Sequence, residues 1–294
     1  MGVRGLTRYC QQNEPRTSCA VNDLKDVTLA VDFVGFLYYL CEQLYHEIQN
    51  EGHSALTWLL LGGCPLRLER WVEKWLERLR SRKVRLTFIT DPPKCFGGPE
   101  HRKGYCLADR ALQKAGQIQQ LTQSLVTTLE ETVNDMSTDK EELTPTSLQR
   151  GRVIRTLLQT NGRFPFAREK LRGVLKKHGI PIETAVREAD EELGNLVRTG
   201  NAYAVLAEDS DFLCMSGVKY IPFKKLTFQE EKDTGQLRLS ARVFSSDMVA
   251  ESLGLQVEQL VDLAILCGND FTPLLDNEFD MAASLSFPVQ SGFV

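Results

Sequence analysis

Three short apolar runs in this chain each stop at acidic residues, and that repetition narrows the fold more than any other feature. Residues 26–32 (DVTLAVD) are β-branched and apolar through their centre, as expected of a strand buried on both faces. Residues 84–90 repeat the pattern and lead into Asp91, where Pro92-Pro93 stops the run. Residues 203–207 (YAVLA) repeat it again and run straight into Asp209 and Asp211. Between the runs the apolar period changes to that of a helix, over 33–48, 66–79 and 166–178. A further helix is opened by Glu188 and Asp190, carries Leu193, Leu196 and Val197 on one face, and ends at Gly200-Asn201. This alternation predicts an α/β fold: a mostly parallel central sheet with helices on both faces. Acids at the carboxyl ends of such strands meet in one crevice.

Each acid singly has a structural explanation. Asp32 and Asp209 can cap the helices they precede, and Glu188 suits the positive end of its own. The set as a whole asks for more, because crowded carboxylates repel and need a cation to neutralise them. Hard oxygen donors of this kind suit Mg²⁺ or Mn²⁺.

Other chemistries find little support. No glycine-rich phosphate loop is present, so nucleotide-dependent transfer is disfavoured. The eight cysteines (Cys10, Cys19, Cys41, Cys64, Cys95, Cys106, Cys214, Cys267) form no CxxC pair, and several sit in apolar runs as buried thiols. Such usage fits a reducing compartment. The four histidines (His46, His53, His101, His178) share no ligand spacing, and no Ser-His or Cys-His arrangement stands out. An aspartate-based phosphatase needs an acid two residues after the first-strand Asp, and Val34 stands there. The opening MGVRGLTRY lacks a signal-peptide core and no run is long enough to span a membrane, so secretion and membrane insertion are not expected.

Net charge is −4, so nucleic acid would have to be held by local basic patches. One candidate is the stripe Arg67, Arg70, Lys74 and Arg78 with Arg80, Arg82, Lys83 and Arg85 after it, which reads equally as solvated helix surface beside Glu69, Glu73 and Glu77. From 94 to 166 the character changes: basic Arg102, Lys103, Arg110 and Lys114, a helical stripe from Ile118 to Val133, then the acidic tract 130–142. This is an excursion between two strands. A short helix is expected over 4–11, a loop around Pro15, Arg16 and Ser18, strands over 182–186, 218–221, 226–229 and 237–241 with a turn at 233–235, and helices over 246–253 and 257–267.

Taken in order, MGVRGL, LAVDF, the strand ending in Asp91, READEE, AEDSDFLC and LAILCGNDF resemble the flap endonuclease/XPG superfamily of structure-specific nucleases, and the last motif is most similar to its Asteroid branch. The resemblance spans residues 1–272 and implies a PIN-like, Rossmannoid nuclease domain, with 94–166 as its helical arch and 273–294 as an unassigned tail. It implies seven metal-site acids: Asp32, Asp91, Glu188, Asp190, Asp209, Asp211 and Asp270. It places Gly2 near the substrate junction and makes Arg102, Lys103 and Arg110 candidates for steering the scissile phosphate. The activity implied is two-metal phosphodiester hydrolysis on single-strand/duplex junctions or overhangs, DNA before RNA, with two Mg²⁺ or Mn²⁺ ions about 4 Å apart. A nuclear monomer with no membrane partner is the corresponding expectation, with the cytoplasm as second location. The alternative is a non-catalytic Asteroid-type interaction or signalling protein on the same fold. Two departures from the family pattern are visible. Asp91 is followed by Pro92 instead of glycine, and Gly268-Asn269-Asp270 does not lead into a glycine-containing helix–two-turn–helix.

Overall fold

The eight strands found among the described residues (3, 5–51, 64–92, 167–230 and 237–267 of this computed structural model) join in one mixed sheet. They are β1 (Ser18–Val21), β2 (Thr28–Asp32), β3 (Arg85–Thr90), β4 (Ile182–Thr184), β5 (Ala204–Ala207), β6 (Lys219–Pro222), β7 (Leu226–Glu230) and β8 (Leu237–Ser245). Their order is β1-β8-β6-β5-β2-β3-β4, with β7 also on β8. From β6 through β5, β2 and β3 to β4 every pairing is parallel; β8 pairs antiparallel with β1, β6 and β7. The apolar runs take the middle for a plain reason. Every residue of β5 is buried, as are Leu29, Ala30 and Val31 of β2, and only a central strand offers cover on both faces.

The helices are α1 (Leu6–Gln12), α2 (Glu14–Thr17), α3 (Phe33–Asn50), α4 (Pro65–Ser81), α5 (Ala167–Lys177), α6 (Ala189–Arg198), α7 (Ser246–Leu253) and α8 (Val257–Leu266), with short 3₁₀ turns at Ser210–Cys214 and Phe223–Lys225. Successive residues on a strand point to opposite faces, and β3 shows what covers each. Phe88 meets Phe36 of α3 at a ring-centroid distance of 5.4 Å, and Phe36 meets Trp75 of α4 at 4.8 Å and Phe223 at 5.6 Å. Ile89, its neighbour, packs in the cluster that holds Leu193 and Val197 of α6, Val205, Phe212, Val249 and Leu260. Helices therefore line both faces, as the sequence pattern predicts.

The chain divides into two units. Unit 1 comprises Met1–Tyr39, Val72–Phe96 and Arg172–Val294 and contains the whole sheet. Unit 2 comprises Leu40–Trp71 and Gly97–Leu171. Within unit 2, Leu40, Cys41, Leu44, Ile48 and Leu68 are buried, and Arg67 pairs with Glu51 at 2.7 Å. The 94–166 excursion, the turn at 233–235 and the 273–294 tail lie outside the described residues.

One stretch corrects the sequence reading. Residues around Pro15, Arg16 and Ser18 form α2 and β1, where a loop was expected. Pro15 stands in the first turn of α2, where its missing N–H leaves no bond unmade. β1 owes its conformation to β8, which it meets in the register Ser18↔Phe244 to Val21↔Ala241. Pairing with β1 as far as Phe244 and with Lys219 of β6 at Ser245 extends β8 to Ser245, four residues past the expected end at 241.

The basic stripe resolves largely into internal contacts. Arg82 pairs with Asp23, Arg80 donates to the His178 carbonyl at 2.7 Å, and Arg85 donates to Thr28 Oγ1 at 3.2 Å. Arg78 lies over the Phe228 ring at 5.4 Å, while Glu73 holds Lys177 at 2.8 Å. These contacts favour the surface-helix reading over the nucleic-acid one. No helix among the described residues is long and apolar enough to cross a membrane.

Candidate metal centre

β2, β3 and β5 run parallel in the registers Asp32↔Ile89 and Val31↔Leu206, so their carboxyl ends lie at one edge of the sheet. Asp32 is the last residue of β2, Asp91 follows the end of β3, and Asp209 stands two residues past the end of β5. Burial pushes the Asp32 carboxyl up to about 6; the backbone N–H groups of Gly35 and Val34 oppose the rise, and the charges of Asp91 and Asp209 add to it. The acids of three strands thus share one edge of the sheet and interact through their charges, as the strand pattern leads one to expect.

Each of these acids is also a cap. Asp32 Oδ1 accepts from Val34 N at 2.9 Å and Oδ2 from Gly35 N at 3.0 Å. Asp209 Oδ1 accepts from Asp211 N at 3.2 Å, at the head of the Ser210–Cys214 turn. Asp91 Oδ1 accepts from Ala189 N at 3.1 Å, so the acid of β3 caps α6 across the crevice. An ionised carboxylate offers about four lone-pair positions, so capping and ion binding do not compete for the same ones. Glu188 occupies the N-cap position of α6 without a side-chain cap bond, Asp190 lies in its first turn, and Asp211 lies in the first turn of the 3₁₀ helix. The bond from Ala189 to Asp91 brings the start of α6, and with it Glu188 and Asp190, to the same edge.

Packing beneath the acids holds them in place. Phe212 and Leu213, just past Asp211, are buried, and Phe212 stacks on Tyr220 at 5.8 Å. The buried Ser210 hydroxyl donates to the Val3 carbonyl at 3.5 Å, tying the N-terminal segment to the Asp209–Asp211 turn. Glu208, beside Asp209, turns elsewhere: its Oε1 accepts from Lys224 N at 3.3 Å. The donor set is all carboxylate oxygen, and the burial and added like charge that disfavour an ionised Asp32 are what a hard divalent cation would offset, so the residues present fit Mg²⁺ or Mn²⁺ in kind. Among the described residues, no three Asp, Glu, His or Cys side chains stand close enough as placed to hold an ion. Asp270, Gly2, Arg102, Lys103 and Arg110 lie outside the described residues.

Sequence reasoning missed Gly35. It lies in the first turn of a long helix, where glycine is about 1 kcal/mol less favourable than alanine. A glycine three residues after a capping acid is the signal that could have found it.

The family model described as the XPG I-region matches residues 179–270, which contain β4, α6, β5 and the turn bearing Asp209 and Asp211. Homo sapiens flap endonuclease 1 is 29% identical over 277 residues, 92% of this chain and 62% of that protein. Flap endonuclease 1 of Cryptosporidium muris is 25% identical over 281 residues, 92% of this chain and 52% of that protein. The chain therefore spans between half and two thirds of the length of these relatives. Among solved structures, human GEN1 in complex with Holliday junction DNA is similar with a TM-score of 0.52 at 16% identity, over 99% of this chain and 57% of that one. The catalytic core of Rad2 in complex with DNA substrate is similar with a TM-score of 0.50 at 17% identity, over 96% of this chain and 67% of that one. Both likenesses show the fold. Residues 179–270 match the XPG I-region, and the sequence matches along most of the chain support the flap endonuclease/XPG superfamily.

Proposed function

We propose that the chain is a divalent-metal-dependent nuclease acting on DNA where single strand meets duplex, or on overhangs. The observation that carries this reading is the placement of Asp32, Asp91 and Asp209 at the carboxyl ends of three parallel neighbouring strands, with the charges of Asp91 and Asp209 adding to the burial that raises the Asp32 carboxyl. Asp32, Asp91 and Asp209 would hold the ions from the strand ends; Glu188 and Asp190 would do so from α6, Asp211 from the 3₁₀ turn, and Asp270 from beyond α8. Mg²⁺ or Mn²⁺, when bound, supplies a water of lowered pKa and a counter-charge for the leaving oxygen. The chain's own part is to orient the Asp32, Asp91 and Asp209 carboxylates through their backbone N–H bonds and to back the Asp209–Asp211 turn with buried apolar side chains. The family resemblance gives Gly2, Arg102, Lys103 and Arg110 the role of holding the scissile phosphate, within a 1–272 nuclease domain whose arch is 94–166. The resemblance carried by LAILCGNDF (263–271) favours the Asteroid branch, and a nuclear setting with DNA before RNA belongs to the same reading.

The test is cleavage of labelled flap, overhang, splayed and single-stranded DNA with Mg²⁺, Mn²⁺ or EDTA, by the unmutated protein and by Asp209→Asn. Cleavage that needs the metal and disappears in the variant is the expected result. Equal cleavage by the variant, or full cleavage in EDTA, would refute the site. Absence of cleavage on every substrate in Mn²⁺ would leave the interaction-protein reading in its place.

A further inference from the structure

Asp32 turns its carboxylate back over the first turn of α3, where both oxygens accept backbone N–H bonds at 2.9 and 3.0 Å. That posture depends on the residue opposite. A Cβ on Gly35 would stand 2.4 Å from Asp32 Oδ2 and 3.2 Å from its Cγ, both closer than ordinary contact, whereas the next neighbour, Phe223 Cε2, would lie at a comfortable 3.5 Å. Among the described residues, the nearest obstacle to a side chain at position 35 is therefore the carboxylate itself. A carboxylate at the end of a rotatable side chain can swing aside, so relief of the clash falls on Asp32 and not on the backbone.

We propose that Gly35 is a positioning residue for the metal centre: its missing side chain is what allows the Asp32 carboxylate to lie against the start of α3, at the sheet edge it shares with Asp91 and Asp209. The proposal rests on the reading of those acids as an ion site. It predicts an unusual separation of effects. Alanine is the better helix former, so Gly35→Ala leaves the fold as stable as before or more so. The same change moves a ligand by more than the roughly 0.5 Å within which a site must be held. Small ions with strict octahedral demands do not tolerate such a shift. A helical glycine elsewhere offers the control: a Cβ on Gly173, in α5, meets nothing within 4 Å.

The experiment uses the full chain, with Mn²⁺ as probe. Free Mn²⁺ is counted by electron paramagnetic resonance during titration, and melting temperature is read in EDTA and in Mn²⁺. Gly35→Ala should melt within about 2 °C of the unmutated protein, or above it, in EDTA. It should bind Mn²⁺ at least about tenfold more weakly and lose most of the Mn²⁺-induced rise in melting temperature. Gly173→Ala should match the unmutated protein in Mn²⁺ affinity. Combined with Asp32→Asn, Gly35→Ala should weaken binding little further, since both act through one carboxylate. If the unmutated protein binds Mn²⁺ and Gly35→Ala binds it equally well, the positioning role is overturned while the ion site stands. If Gly35→Ala melts about 10 °C lower in EDTA, the backbone bears the clash and the proposal is again wrong. If the unmutated protein binds no Mn²⁺, the reading of the acids fails and takes this proposal with it.

Discussion

Replacing Asp32 by asparagine should stabilise the metal-free protein at neutral pH. Burial raises this carboxyl from an ordinary 3.8 to about 6, with Asp91 and Asp209 adding to the rise against two backbone N–H bonds. The folded protein therefore holds the Asp32 proton more tightly than the unfolded chain does. The resulting stabilisation is fully present below pH 3.8 and is lost as pH rises through about 6. The interval from 3.8 to about 6, at 1.36 kcal/mol per pH unit, corresponds to a swing of about 3 kcal/mol. That figure is a ceiling, because Asp32 is only half-buried and water screens part of the repulsion. Asparagine has no charge to desolvate and still caps α3 through its single oxygen, while giving up one charge-assisted bond worth roughly 1 kcal/mol. In EDTA at pH 7.5 the variant should be more stable by about 1–2 kcal/mol, roughly 2–6 °C in melting temperature. The gap should close as pH falls towards 4. Thermal melts of both proteins between pH 4 and 7.5 in EDTA test this. A difference that stays flat across that range, or a variant less stable at pH 7.5, would refute the electrostatic account of the crevice.

Two further outcomes follow from particular contacts, and a third tests the proposed nucleic-acid binding. Phe36→Ala removes a fully buried ring that meets Trp75, Phe88 and Phe223, and should lower stability by about 3–5 kcal/mol in urea titrations; a loss under about 1 kcal/mol would contradict the packing described. Ser245→Ala deletes the side-chain oxygen that accepts from Met248 N at 3.4 Å at the start of α7, and should cost about 0.5–2 kcal/mol in the same assay, with Ser245→Asn restoring most of it. DNA affinity, measured by fluorescence anisotropy from 50 to 200 mM salt, should fall with a log–log slope of about −3 to −4 if about four phosphates are contacted. Charge reversal at Arg102 and Lys103 should flatten that slope, and an unchanged slope would place the phosphate contact elsewhere.

What the chain's own residues determined is the sheet's parallel centre and the location of its acids. A strand buried on both faces must be apolar throughout, so β2, β3 and β5 were legible as runs, and each run's terminal acid falls at the carboxyl edge once the strands are parallel. Helices α3, α4 and α6 were legible for the matching reason: each repeats an apolar face at helical period, and their observed bounds differ from the expected ones by a residue or two. Tertiary structure alone decided the rest. Ser18-Cys19-Ala20-Val21 is too short and too weakly β-forming to declare itself; it becomes a strand because β8 offers an edge to pair with. Asp91 caps α6 from 98 residues away, a bond no local pattern announces. Gly35 reads as a weak point in a good helix until the Asp32 carboxylate is seen to occupy the space its side chain would fill. Local composition specifies which elements form and which residues end them; which carboxylate meets which N–H, and which atom leaves no room, depends on partners that only folding brings together.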